Sequence, residues 1–273
     1  MSRSSLHILI VLVAFLIYFS PGALGATSGG GEPRIRCKEE ERQALLRIRE
    51  DFYELEDGVL SSWGKEEERR ECCEWIGIRC DNPSGHVIGL DLSPSTFGGH
   101  NDSPIRVACL RSSDVVLPPL LLNSSKVLAI LDLSDNVRVS DSIFRWLLNY
   151  NYSLVYLDLH RCNLKGSIPK AFRNMSALTH LDLAYNNLEG SIPDYFGNMI
   201  ALEHLDLGDN QQEGSIPESF VNMIALAHLG LHFNHLESSV PEYFGNLSTL
   251  AHLDIGKNNL EGSIRFVFLN YRV

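Results

Sequence analysis

Residues 154–177 read LVYLDLHRCNLKGSIPKAFRNMSA, and residues 178–201 read LTHLDLAYNNLEGSIPDYFGNMIA. The two stretches align without a gap at a period of 24, which returns at Leu202, Leu226 and Leu250, and the last copy closes on Val273. Self-similarity at this period marks stacked supersecondary units, none of which buries its apolar side alone. Each copy opens L-x-x-L-x-L-x-x-N, and the alternation in Leu181-Asp182-Leu183 predicts a short half-buried strand. Strand side chains alternate, so Leu181 and Leu183 point inward while His180, Asp182 and Ala184 face the open side. Stacking the copies predicts a parallel sheet.

Other columns of the repeat carry their own physics. Asn186, Asn210, Asn234 and Asn258, with Asn136 in a diverged earlier copy, place an amide at the turn that ends each strand, where it satisfies backbone groups. Cys162 takes that place in one copy and reads as a buried weak donor. Gly166, Gly190, Gly214 and Gly262 turn the chain ahead of Pro169, Pro193, Pro217 and Pro241, with Arg265 in the last proline position. Proline donates no amide hydrogen, which predicts an irregular convex return. Phe172, Phe196, Phe220, Phe244 and Phe268 form an aromatic spine behind it.

A stack needs a cap at each end. Ala44, Leu45, Ile48, Phe52 and Leu55 recur at helical spacing behind acidic Glu39 to Glu41, which predicts an amphipathic helix. With Trp63 and Trp75 it roofs a first strand at Val87, Leu90 and Leu92. The C-terminal coil carries no such cover, so Leu253, Ile255 and Leu260 are expected at an open edge.

Ahead of the cap, Arg3, an apolar run from Ile8 to Phe19 and the small residues Ala23 and Gly25 predict a secretory signal peptide over residues 1–25. The run is too short for a membrane span of roughly 20 residues. No later stretch is long enough, so no membrane span is expected. The net charge of −11 argues against nucleic acid as a partner. In a secreted chain, six cysteines are read for disulfides first. Among Cys37, Cys72, Cys73 and Cys80, a bond between the adjacent pair is disfavoured, and two pairings remain open. Cys109 has no evident partner.

The cap segment C37-KEEERQALL, the LSSW ending at Trp63 and CCEWIGIRCDNPSGHVIGLDL from Cys72 to Leu92, joined to L-x-G-S-I-P repeats, resembles the extracellular region of plant leucine-rich-repeat receptor-like proteins of the disease-resistance and elicitor-receptor type. The resemblance covers residues 37–92 and 117–273. It implies an α/β right-handed superhelical solenoid of plant-type 24-residue repeats behind a disulfide-locked helical cap, with Cys37 paired to Cys72 and Cys73 to Cys80. The domain reading is a signal peptide at 1–25, a linker at 26–36, the cap at 37–92, a degenerate region at 93–127, and one diverged plus five regular repeats at 128–273. The expected C-terminal cap, membrane span and kinase are missing, so the chain reads as truncated. The resemblance also implies an apoplastic or cell-wall location, a protein or peptide ligand, and a membrane receptor kinase as co-receptor. Longer relatives would be single-pass proteins of the plasma membrane. A second reading is a soluble inhibitor similar to polygalacturonase-inhibiting proteins, and a third is a truncated receptor without function.

Five sequons, at Asn101, Asn123, Asn151, Asn174 and Asn246, fit a secreted glycoprotein. On the open face His180, His204, His228 and His252 form a column beside Asp132, Asp158, Asp182, Asp206 and Asp254. Such a ladder has the chemistry of a strip that changes charge between pH 5 and 7, or of a weak metal site. Duplication of an x-His-Leu-Asp-Leu consensus explains the same column without a ligand. A specific surface differs from coil to coil, which singles out Tyr156, Arg161, Tyr185, Asp209, His232, Phe233 and Lys257 as candidate contacts. No nucleophile with a base and orienter and no phosphate-cradling loop is found, so neither an enzyme nor a cofactor is expected.

Overall fold

The computed structural model describes residues 36–53, 60–64, 71–93, 109–110, 128–137, 139 and 141–262. The predicted signal peptide, Leu55, Asn101, Asn123, Arg265 and Phe268 lie outside them. Eight strands form the main sheet. Seven are parallel, Val87–Asp91, Ile130–Asp132, Tyr156–Asp158, His180–Asp182, His204–Asp206, His228–Gly230 and His252–Asp254, and Ile78–Cys80 pairs antiparallel at the cap edge. Register runs one coil to the next, with Leu157, Leu181, Leu205, Leu229 and Leu253 in line. These leucines are buried, and between the strands and the convex side the spine residues Phe172, Phe196, Phe220 and Phe244 are buried as well. Phe144, from the helix Ser142–Leu147, meets Phe172 edge-on at 5.8 Å and so continues the spine into the diverged coil.

The convex return is more ordered than the prolines suggested. Lys165–Ser167, Asn187–Ser191, Gln211–Gly214 and His235–Leu236 form a second, four-stranded parallel sheet. The strands run up to the S-I-P segment, so proline ends them and interrupts no ladder. Gly190, at φ 78°, provides the left-handed bend that a side chain would strain. After each proline comes a short 3-10 turn, as in Asp194–Asn198.

The asparagine column is the turn's internal brace. Asn186 Nδ2 donates to the carbonyls of Leu159, Leu183 and Ala184 at 2.9, 3.0 and 3.1 Å, and its Oδ1 accepts from the amides of Cys162 and Leu164. Asn210, Asn234 and Asn258 repeat the pattern. Cys162 is buried, and its Sγ donates to the Leu133 carbonyl at 3.0 Å. Burial pushes the thiol well above its ordinary range, which keeps it protonated and unreactive.

In the cap, the helix Glu39–Asp51 buries Leu45, Leu46 and Ile48. Phe52 belongs to a short strand, Phe52–Tyr53, which pairs antiparallel with Cys109–Leu110, so the helix stops a turn short of its predicted apolar stripe. Trp63 and Trp75 stack at 5.3 Å, and Trp63 donates to the Ile76 carbonyl. Disulfides join Cys37 to Cys72 and Cys73 to Cys80. Glu41, fully buried, ties the helix to the first coil: it meets His86 Nδ1 at 2.6 Å and accepts from the Val87 amide at 2.7 Å. At the other end, Leu253 and Ile255 are only 3% and 8% exposed, contrary to the exposed edge expected for them. They point into their own coil and join the core, and only Leu260 is partly open.

One core position breaks the pattern. Gln212 stands in the column of Leu164, Leu188 and Leu236 and is 0% exposed, and neither Nε2 nor Oε1 of its side chain has a hydrogen-bond partner. A buried amide without partners costs about 1–3 kcal/mol. Gln212→Leu should therefore raise the unfolding free energy by about 1–3 kcal/mol, read as a higher urea midpoint at unchanged slope. A lower midpoint would mean that Gln212 is satisfied in solution.

Candidate functional site

The in-register strands bring the histidine column together. Tyr156, His180, His204, His228 and His252 stack face to face, with successive ring centroids at 4.2, 4.1, 4.1 and 4.3 Å. Strands lie about 4.8 Å apart, so the rings lean together to reach contact. Each inner ring, His180, His204 and His228, has a ring against both faces, and His252 at the end of the stack is exposed.

The aspartates beside them do structural duty. Each uses Oδ1 to accept the amide two residues on: Asp158 from His160 at 2.9 Å, Asp182 from Ala184 at 2.8 Å and Asp206 from Gly208 at 2.8 Å. The carboxylate folds back over the strand end, and Ala184 is buried there instead of lying open. Burial, followed by the charges of Asp132 and Asp182, pushes Asp158 up to about 8. Burial also raises Asp132, and raises Asp182 to about 6. At Asp206 the same burial is outweighed by the His228 side chain and the Gly208 amide, and its carboxyl falls below the ordinary value. Burial and then the neighbouring imidazoles lower His180 to about 3 and His204 to about 4.

At His180 and His204 this works against a charge change between pH 5 and 7: burial, and then the charge of the neighbouring imidazoles, favours the neutral ring across that window. The titration passes to the carboxyls. Asp158, raised in the folded state, contributes stability that is fully present below its unfolded value near 4 and is lost as pH rises through about 8. Asp158→Asn retains an acceptor for the His160 amide and removes the charge. Its melting temperature should exceed that of the parent chain increasingly from pH 5 to pH 8. Parallel curves for the two proteins would contradict this.

A second column, just past the strands, varies from coil to coil. Asp135, Arg161, Tyr185, Asp209, Phe233 and Lys257 each precede the asparagine position, or Cys162 in its place, and each holds a left-handed backbone with φ between 49° and 60°. Left-handed backbone in non-glycine residues costs about 1 kcal/mol or more each. The braced turn imposes it and projects the side chains outward. Tyr185 and Phe233 are 50% and 52% exposed. They form a connected patch: Arg161 pairs with Asp135 at 3.2 Å, Asp209 with His232 at 3.1 Å, and Tyr185 meets His160 edge-on at 5.1 Å. His232 lies over Gly208, where an added Cβ would come within 2.2 Å of its ring. Tyr156 and His252 belong to the ring stack, and Lys257 is exposed beside the last strand. Asp135 was missed in the sequence, although it stands in the same place ahead of Asn136. Of the sequons, Asn174 is exposed, Asn151 is half-buried, and Asn246 ends a 3-10 turn.

Comparison with known proteins fits this geometry. Residues 38–81 match the family described as "Leucine rich repeat N-terminal domain", and residues 152–212 match "Leucine rich repeat". The fold is therefore that of a leucine-rich-repeat solenoid behind an N-terminal cap similar to that family. It is 33% identical over 174 residues to Receptor-like protein EIX1 of Solanum lycopersicum, covering 61% of this chain and 16% of that protein. Against Receptor-like protein EIX2 of the same plant it is 37% identical over 165 residues, covering 59% and 15%. The chain is similar to receptor-like proteins of plants, and it spans 9–16% of the length of the curated relatives it matches. Among solved structures, the PEPR1–AtPEP1 complex superposes with a TM-score of 0.61 at 26% identity, over 86% of this chain and 34% of that one. The Arabidopsis receptor kinase HAESA, solved with the peptide hormone IDA and the co-receptor SERK1, gives 0.58 at 27% identity, over 80% and 33%. No helix among the described residues is long and apolar enough to cross a membrane.

Proposed function

We propose that this chain is an extracellular recognition module that binds a peptide or elicitor along its open face and acts with a membrane receptor kinase. The observation that carries the reading is the left-handed column: six successive coils hold one backbone geometry and present five kinds of side chain, aspartate at Asp135 and Asp209 and a different residue at each of Arg161, Tyr185, Phe233 and Lys257. Repeats copied for stability alone need no such variation, and interfaces draw much of their energy from exposed tyrosine and arginine anchors. The solved structure of the receptor kinase HAESA with a peptide hormone and a co-receptor supports the reading.

The test is selection of binders from a displayed library of secreted-length peptides on the immobilised chain, followed by affinity measurement on variants. Arg161→Ala, Tyr185→Ala and Phe233→Ala, all exposed, should each weaken a selected peptide by about 5- to 30-fold, the scale of 1–2 kcal/mol. Binding indifferent to all three would move the recognition surface off this face.

A further inference from the structure

We propose that His204, Asp206 and His228 form a site for one divalent transition-metal ion, of the zinc or copper kind, on the open face of the solenoid. This goes beyond the recognition reading and does not depend on it. One ligand atom from each of the three side chains can be chosen so that all lie within 4.8 Å of one another. His204 Nε2 is buried and has no hydrogen-bond partner. An imidazole nitrogen in that condition loses hydrogen bonding to water without replacement, and a metal ion supplies the missing partner.

The carboxylate is already aimed. Asp206 Oδ1 is held by the Gly208 amide at 2.8 Å, which leaves Oδ2 turned to His228 Nε2 at 3.6 Å. Its room comes from the next coil. Where that coil would continue the acidic column it has Gly230, and a Cβ there would stand 2.4 Å from Asp206 Oδ1 and 2.7 Å from Oδ2. An aspartate at 230 would displace the Asp206 carboxylate from this place and add a second negative charge beside it.

Donor chemistry selects the ion. Two imidazoles and one carboxylate suit zinc, copper or nickel, whereas calcium and magnesium take oxygen ligands. Zinc binds imidazole nitrogen at about 2.0–2.1 Å, so two nitrogens on one tetrahedral ion lie roughly 3.3 Å apart. An ion lies in the plane of each imidazole it binds, so the His204 and His228 rings, stacked at 4.1 Å and 16° from parallel, must splay out of their stack for both nitrogens to aim at one ion. His180, Asp182 and His204 make an adjoining cluster of similar span, but it shares His204, so one ion excludes the other. Asp182 has Asp206 as its neighbour on the following strand, not a glycine, which favours the His204, Asp206, His228 set.

Calorimetric titration of the tag-free, chelator-treated full chain with Zn²⁺, Ni²⁺ and Cu²⁺ tests the site. One ion should bind per chain, Cu²⁺ most tightly, with no binding of Ca²⁺. Loss of even an outer partner of a metal ligand costs about 10- to 100-fold in affinity, so His228→Asn should lose at least roughly 100-fold. In the Cu²⁺ electron paramagnetic resonance spectrum, nitrogen coupling should fall from two imidazoles to one in that variant. Circular dichroism checks that His228→Asn remains folded, and Asp182→Asn should bind as the parent does. Absence of binding by the parent, retention of affinity in His228→Asn, or loss of affinity in Asp182→Asn would each overturn the assignment.

Discussion

Phe220→Ala should lower the unfolding free energy by about 3–5 kcal/mol, the range for emptying a buried aromatic position. Phe220 is fully buried in the 3-10 turn Glu218–Asn222, whose entry is set by Pro217, and it stands between Phe196 and Phe244 in the spine. A solenoid transmits stability only between neighbouring coils, so the loss is concentrated at one junction. Amide hydrogen exchange should therefore accelerate first in the coils beginning at Leu202 and Leu226, while the strand Val87–Asp91 keeps its protection. Phe220→Leu, which refills part of the volume, should recover a large share of the loss. A uniform rise in exchange along the whole stack would show that the coils fold as a single cooperative unit.

Asn210→Ala is expected to cost about 3 kcal/mol. Truncation orphans the Leu188 amide, which bonds to Asn210 Oδ1 at 2.9 Å, and an unsatisfied buried donor costs about 1–3 kcal/mol. The missing side chain also leaves a void under the turn. The Leu183 and Leu207 carbonyls suffer less, because each retains a second asparagine donor, from Asn186 and Asn234. Asn210→Asp separates the two roles. It preserves an acceptor for Leu188 but turns a carboxylate oxygen toward the carbonyls of Leu183, Leu207 and Gly208. It should be at least as damaging as alanine at neutral pH and partly recover in acid, measured as urea midpoints at pH 4 and 7. Equal stability of Asn210→Ala and the parent would mean that the column is ornamental.

The main sheet, its register, the asparagine brace and the phenylalanine spine were all legible, because a period of 24 aligns chemically alike residues and stacking is the only way to bury them. The second sheet was not. Its strands run through Asn-Leu-Glu-Gly segments with little alternation, and pairing there follows from the stacking of neighbours more than from local preference. Phe52 was assigned to the helix on spacing alone, which carries no information on the partner strand Cys109–Leu110. The histidine ladder could be placed from the repeat, but its protonation could not. Whether His204 charges depends on how much water the stacked rings exclude, which is a tertiary quantity. Gln212 stands in a leucine column, and only its burial shows that its side-chain amide is unsatisfied. Nor does any local rule anticipate that Tyr185 and Phe233 occupy left-handed backbone, since aromatic residues seldom do so unaided.

That forced backbone has a further consequence for how such a surface changes over time. Because the braced turn, and not the turn residue itself, secures the geometry, the identity of the projecting side chain is uncoupled from the scaffold that displays it. Arg161, Tyr185, Asp209, Phe233 and Lys257 behave like interchangeable letters on a fixed carriage, one per coil. Duplicating a coil lengthens the message by one letter, and a point substitution rewrites one letter at little cost to folding. The exposed column can therefore change its chemistry while the spine and brace keep their packing.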